Sequence, residues 1–161
     1  MAGKLSIEII IKEKMASEKQ KPMLDFVSSL QEIGITFEGF NTEDINESQI
    51  RFGPKYKGEG IGAAGIFDMN DDVFFVLWLG IEFKINSNEA TESLKEFVWS
   101  NVVACPQEPC KSPYCNNCKN PFSIFGKDFA STCHAPLAFI NPDAEALEKI
   151  KEMFLETYKN V

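Results

Sequence analysis

Four of the five cysteines in this 161-residue chain lie between residues 105 and 118, in the stretch CPQEPCKSPYCNNC. Pro106, Pro109 and Pro113 interrupt the same stretch, and each proline removes a backbone N–H and fixes its own φ angle. The segment therefore fits neither a continuous helix nor a central strand. Because thiolates that converge on a cation supply folding free energy that irregular backbone lacks, the density of cysteines predicts a metal site.

The predicted ligands are Cys110, Cys115, Cys118 and Cys133, with Cys105 as the alternative ligand. Cys115 and Cys118 form a C-x2-C pair, whose two intervening residues let both sulfurs turn toward one tetrahedral zinc ion. Cys110 is nearer to this pair in sequence than Cys105 is. A compact site made only of the cysteines within residues 105–118 is the other arrangement that the spacing allows.

Cys133 is distant in sequence, and a predicted hairpin brings it to the pair. Glycine first in a two-residue loop is typical of a type II′ turn, and Gly126-Lys127 fits this preference. Counting back along the ladder from that turn places Cys133 opposite Asn120. Cys118, two residues before Asn120, is then expected on the same face as Cys133.

The same cysteines also fit a second metal group. Cys110, Cys115 and Cys118 have the first three spacings of a plant-type [2Fe–2S] ligand set, and Cys133 can supply the fourth thiolate. The segment has proline, tyrosine and asparagine where cluster-binding loops usually have small residues, so zinc is the preferred cofactor and the iron–sulfur cluster the alternative. Reduced cysteines without a metal are the remaining interpretation.

Length and charge limit the classes of function. The chain fits one domain, residues 1–161, with residues 105–134 as its cysteine-rich metal-binding segment. A net charge of -8 argues against binding nucleic acid or an anionic membrane, since both depend on Lys and Arg neutralising phosphates. No signal peptide or membrane span is recognisable, so we expect a cytoplasmic protein. In that reducing compartment clustered cysteines bind metals more often than they form disulfides.

Catalytic groups are scarce in this sequence. His134 is the only histidine, so a nucleophile has one candidate base, and its neighbour Cys133 is expected to face the other way in a strand. Gly60, Gly62 and Gly65 match G-x-G-x-x-G, but a dinucleotide fingerprint also needs a helix after it, and acidic residues follow instead. We therefore nominate no catalytic residue. We expect Gly60, Gly62 and Gly65 to lie in a glycine-rich strand or loop.

The apolar pattern predicts an α+β fold: a largely antiparallel sheet with helices packed on one face, plus a Cys-rich metal-stapled loop and hairpin. Residues 4–12 alternate and predict a half-buried strand, and Pro22 is predicted to open the next helix. Residues 73–85 are predicted to be the central strand. Residues 50–52 meet Pro54 and are predicted to form an edge strand.

Two more helices are predicted after the central strand. Asn86 and Glu89 have the spacing of a capping box for the first of them. Asn141 as N-cap and Pro142 as first residue are predicted to begin the second.

Taken together, these features favour a small cytoplasmic zinc-binding domain that acts as a binding or regulatory module, with a structural metal. One alternative is an iron–sulfur protein that transfers electrons or senses redox state. The other is a small enzyme whose pocket the sequence does not reveal. The partner is an unknown protein or small molecule, and the oligomeric state is left open.

Overall fold

The computed structural model describes residues 6–39, 49–69, 72–80, 83, 89–105 and 120–158. In this part of the chain there are four helices and eight strands, in the order α1 Ile7–Lys14, α2 Ser17–Glu32, β1 Ile35–Gly39, β2 Gln49–Tyr56, β3 Glu59–Gly60, β4 Gly62–Met69, β5 Asp72–Leu79, α3 Glu92–Ser100, β6 Val102–Ala104, β7 Asn120–Ile124, β8 Lys127–Ile140 and α4 Ala144–Tyr158. The strands form one antiparallel sheet in the order β1-β2-β4-β5-β8-β6, with β3 paired to β2 and β7 to β8. The predicted α+β class and large antiparallel sheet are confirmed.

One row of side chains crosses the middle of the sheet and marks its buried face. From β2 to β8 the row consists of Phe52, Ala64, Leu77 and Phe139, each at most 2% exposed. Phe97 of α3 stacks on Phe139, with ring centroids 5.7 Å apart. Phe75 lies two residues before Leu77 and therefore shares its face of the sheet. Phe26 of α2 contacts Phe75 edge to face, with ring centroids 6.4 Å apart. Both helices therefore pack on this face of the sheet.

The central position predicted for residues 73–85 is confirmed for β5, which pairs with β4 on one edge and with β8 on the other. The strand is shorter than predicted and ends at Leu79. Phe75, Val76 and Leu77 follow one another in the middle of this strand, and all three are buried.

The strand predicted for residues 4–12 is wrong, because residues 7–12 lie in helix α1. Ile7, Ile10 and Ile11 are at most 5% exposed, whereas Ile9 is 54% exposed. This burial follows the helical period, in which residues three and four positions apart share a face. Ile10 interrupted the alternation expected of a strand, and it belongs to the buried stripe of the helix.

The starts of the next two helices also differ from the predictions. Helix α2 begins at Ser17, so Pro22 lies inside it and does not open it. Helix α3 is capped by Thr91, whose Oγ1 accepts a hydrogen bond from the backbone N–H of Leu94 at 3.2 Å. The capping residue predicted for this helix, Asn86, lies outside the described residues.

The last helix, α4, is confirmed, but its predicted cap is not. Asp143 accepts a hydrogen bond from the backbone N–H three residues further on, at 2.8 Å, and so acts as the N-cap. Asn141 has a φ of 46° and its backbone N–H bonds to the carbonyl of Phe75 at 2.7 Å. The buried residues of this helix are Leu147, Ile150, Met153 and Phe154.

The edge position predicted for residues 50–52 is wrong, because β2 pairs with β1 on one side and with β3 and β4 on the other. Pro54 in this strand has no N–H to give to the ladder. Its carbonyl accepts from Ile61 N at 3.0 Å, and the carbonyl of Ile61 accepts from Gly80 N at 3.1 Å. Gly80 thus replaces the missing donor, which lets an interior strand contain a proline.

The glycines of the G-x-G-x-x-G match lie in strands, so the interpretation as a glycine-rich strand is confirmed. Gly60 ends β3, and Gly62 and Gly65 belong to β4. Gly62 lies very close to β5, since a Cβ atom added there would stand 2.0 Å from the carbonyl oxygen of Trp78. Only glycine allows the two backbones to approach this closely.

We predict that Gly62→Ala lowers the free energy of unfolding by about 3 kcal/mol, because the added methyl group must push β5 away. Gly60→Ala is the matched control, since nothing lies within 4 Å of a Cβ atom added there. It should change the free energy of unfolding by less than about 0.5 kcal/mol. Urea denaturation measures both, and equal stability of the two variants would contradict the close approach at Gly62.

Candidate metal centre

Thr132 of β8 has a strand neighbour on each edge. Ala104 of β6 lies opposite Thr132, and Asn120 of β7 lies opposite the same residue. A strand residue has one neighbour per edge, so β6 and β7 flank β8 here, and Ala104 and Asn120 are about 10 Å apart by the usual strand spacing. Ala104 and Asn120, which come shortly before and directly after residues 106–119 in the sequence, therefore lie on the two sides of a single residue of β8.

The predicted register of the β7–β8 hairpin is wrong. The turn residues are Phe125 and Gly126, with φ angles of 49° and 74°. Two positive φ angles in a two-residue loop define a type I′ turn, so the predicted II′ turn at the following pair does not form. An irregularity further along the ladder adds to the shift. Asn120 consequently faces Thr132 and does not face Cys133.

Burial of the turn explains this register. Phe125 adopts a φ that is unfavourable for a side chain with a Cβ atom, but its side chain is only 7% exposed, so hydrophobic burial offsets the strain. Ser123 Oγ donates a hydrogen bond to Asp128 Oδ1 across the turn at 2.6 Å. A prediction that considers only the position of glycine misses the burial of Phe125 and the hydrogen bond between Ser123 and Asp128.

Cys105 and Cys133 lie on the same face of the sheet. Thr132 is fully buried and lies on the face of the sheet where Phe122 of β7 belongs to the core. Cys133, the next residue in the strand, therefore points to the opposite face. The backbone N–H of Cys105 donates to the carbonyl of Ser131 at 3.1 Å. Residues opposite each other in adjacent strands share a face, and Ser131 shares the face of Cys133.

This arrangement suits two thiolates on one ion. Cys105 and Cys133 are diagonal neighbours across β6 and β8, which places their backbones about 7 to 8 Å apart. Two sulfurs bound to one zinc ion stand about 4 Å apart, a separation that the two side chains can bridge. Neither cysteine forms a disulfide bond with another described residue, and the diagonal is longer than a disulfide prefers.

Cys105 and Cys133 are the cysteines within the described residues, which therefore contain no complete site. Among them, no group of three or more His, Cys, Asp and Glu side chains is placed to hold a metal ion. The three remaining cysteines, Cys110, Cys115 and Cys118, lie outside the described residues. The ligand set stays a prediction, with the two sheet positions now fixed in space.

Two side-chain hydrogen bonds hold the hairpin beside this site. Thr132 Oγ1 donates to the carbonyl of Asn120 at 3.0 Å, and Trp99 Nε1 of α3 donates to the carbonyl of Ile124 at 2.9 Å. Lys127 Nζ lies 5.0 Å from the centre of the Trp99 ring, within the range of a cation–π contact. The hairpin is thereby attached to α3 at its turn and to itself at Thr132.

Sequence reasoning missed Ser131 and Thr132 and assigned Cys105 only a secondary role. All three lie where β8 meets β6, a strand of three residues, and the residue that follows it. Val102 and Val103, directly before Ala104, were a signal for this short strand, since β-branched residues favour strands. His134, the one candidate base in the sequence, is exposed.

Comparison of this chain with protein-family models, curated proteins and solved structures finds no match. No helix within the described ranges has the length and apolar character needed to cross a membrane.

We predict that Thr132→Val lowers the free energy of unfolding by about 1 to 3 kcal/mol, because it keeps the shape of the side chain but leaves the carbonyl of Asn120 without its donor. Thr36→Val is the control, since Thr36 is an exposed residue of β1 and undergoes the same chemical change. Its effect should stay below about 0.5 kcal/mol. Urea unfolding compares the two, and a similar small effect for both would show that the Thr132 hydrogen bond is unimportant.

Proposed function

We propose that the protein is a small metal-binding module, in which zinc held by cysteine thiolates beside β8 orders the segment between β6 and β7. The supporting observation is the convergence at Thr132. Ala104 and Asn120, on either side of residues 106–119, both pair with Thr132, and Cys133 follows Thr132 directly in the chain. The described residues on either side of residues 106–119 are thus held close to each other and to Cys133.

The composition of residues 106–119 supports a metal over hydrophobic packing as the source of order. Apart from its cysteines and prolines, the segment has Tyr114 as its one large apolar side chain. Burial of so little apolar surface offsets only a small part of the conformational entropy lost on ordering. Metal binding by thiolates contributes free energy that does not depend on apolar area.

The proposed ligands are Cys115 and Cys118 as a C-x2-C pair, Cys133 from β8, and a fourth cysteine that is Cys105 or Cys110. Four thiolates fill the tetrahedron of zinc and leave no open position for a substrate or water, so the proposed metal is structural. The proposed role is that of a binding or regulatory module. A cytoplasmic location, where thiols stay reduced, completes the proposal.

We predict that protein purified without oxygen contains a single zinc ion per chain and is colourless. Cys118→Ser and Cys133→Ser should lose the metal and destabilise the fold by several kcal/mol, on the order expected for a lost structural site. Ser112→Ala, in the same segment, is the control and should keep the zinc. Elemental analysis and thermal unfolding are the measurements.

Other outcomes of this experiment are equally clear. A brown solution that contains iron and sulfide would replace zinc by the [2Fe–2S] alternative, whose C-x4-C-x2-C spacing the chain also has. Fresh protein without any metal, folded as stably as protein treated with a chelator, would contradict the proposal altogether.

A further inference from the structure

We infer that Tyr56 and Tyr158 form a site of oxidative cross-linking, at which one-electron oxidants join their rings through a carbon–carbon bond. The product is a dityrosine that ties α4 to β2. The inference is independent of the proposed metal site, because it involves no cysteine and no residue of β6, β7 or β8.

The two tyrosine rings are stacked on each other. Their centroids lie 3.9 Å apart, and the ring planes are inclined by 28°. Aromatic pairs in proteins usually have centroids about 4.5 to 7 Å apart. The other ring pairs within the described ranges lie between 5.2 and 6.4 Å apart. Carbon atoms of Tyr56 and Tyr158 are therefore already in van der Waals contact.

Elements far apart in the sequence hold this pair together. Tyr56 lies opposite Ile35 in the β1–β2 ladder, and Ile35 is fully buried, so both side chains point toward the core. Tyr158 is the last residue of α4 and follows the fully buried Phe154 by one turn. The ring centroid of Phe83 lies 5.2 Å from that of Phe154 and 6.2 Å from that of Tyr158. The core thus positions the Tyr158 ring over Tyr56.

The two phenols are the oxidisable rings of this aromatic cluster. Phe83 and Phe154 lack the hydroxyl group whose proton a ring releases when it loses an electron. Burial and the nearby Tyr56 raise the pKa of Tyr158 to about 12, so Tyr158 is a neutral phenol at neutral pH. Both tyrosines are half-buried, which leaves part of each ring open to a small oxidant.

Cross-linking is an oxidation by two electrons. Each phenol loses one electron and one proton and becomes a tyrosyl radical, and two equivalents of a one-electron oxidant, such as a peroxidase intermediate or a photo-oxidant, accept the electrons. The two radicals combine at ring carbons next to the hydroxyl groups. The hydrogen atoms on those carbons then move to the oxygens, which restores both phenols. The product has two hydrogen atoms fewer than the starting protein.

The cross-link stabilises the folded chain. It joins residues 56 and 158 and so restricts the unfolded chain in the way that a disulfide does. Closing a loop of roughly 100 residues in a chain of this size should raise Tm by something on the order of 10 °C. Oxidation therefore fastens the end of α4 to the sheet.

The test exposes the dilute full chain to light, a ruthenium photo-oxidant and persulfate, and mass spectrometry of the peptides locates any link. We expect a monomeric product with the blue fluorescence of dityrosine and a raised Tm. In this product a peptide with Tyr56 is joined to a peptide with Tyr158, with the loss of two hydrogen atoms. Tyr158→Phe keeps the ring stack but lacks the phenol, and it should give no such product.

The wild-type peptide map decides the question even where a variant fails to fold. An oxidised monomer without a link between Tyr56 and Tyr158 would overturn the inference. A link formed only between separate chains, or from either residue to Tyr114 instead, would overturn it as well. Undiminished dityrosine fluorescence in Tyr158→Phe would equally count against it. The proposed metal site is unaffected by any of these results, since its zinc content is measured separately.

Discussion

The hydrogen bonding of β8 along both of its edges is the constraint on which the rest of the structure depends. In its second half, Leu137 pairs with β5 on one edge and with β6 on the other, and both pairings lie over the aromatic core. In its first half, Thr132 pairs with β6 and with β7. Strand β8 therefore connects the packed core to Ala104 and Asn120, the paired residues on either side of residues 106–119. The positions of these two residues are fixed by the core.

An irregularity in β8 allows the strand to serve both regions. Val102 and Ala104 are two residues apart on β6, yet their partners on β8 are Leu137 and Thr132. Thr132 and Leu137 are five positions apart, so regular alternation would place their side chains on opposite faces of the sheet. Both side chains are nevertheless fully buried. The extra residues lie between them and reverse the alternation. As a result Cys133 points away from the core, toward the face that Cys105 shares.

Much of the fold could be predicted from the sequence, because β5 and the last two helices have long, consistent apolar patterns. Helix α1 was missed because its isoleucines satisfy both the strand period and the helix period over so short a run. The hairpin was foreseen but its register was not, since the register depends on burial of Phe125 and on a ladder irregularity with no local signature. For the candidate site, composition supplied the chemistry of clustered thiols. The pairing of Cys105 with Ser131 could not be predicted, because it is a long-range contact made by a strand of three residues.

We propose that cysteine sulfurs beside β8 hold a metal ion. X-ray absorption spectroscopy at the zinc edge of the freshly isolated protein can test this directly, because it reports the ligand atoms and their distances without any substitution. We expect a first shell of four sulfur atoms at about 2.3 Å and no nitrogen or oxygen ligand. A first shell of nitrogen and oxygen atoms would contradict it, since such a zinc ion would be bound away from the cysteines.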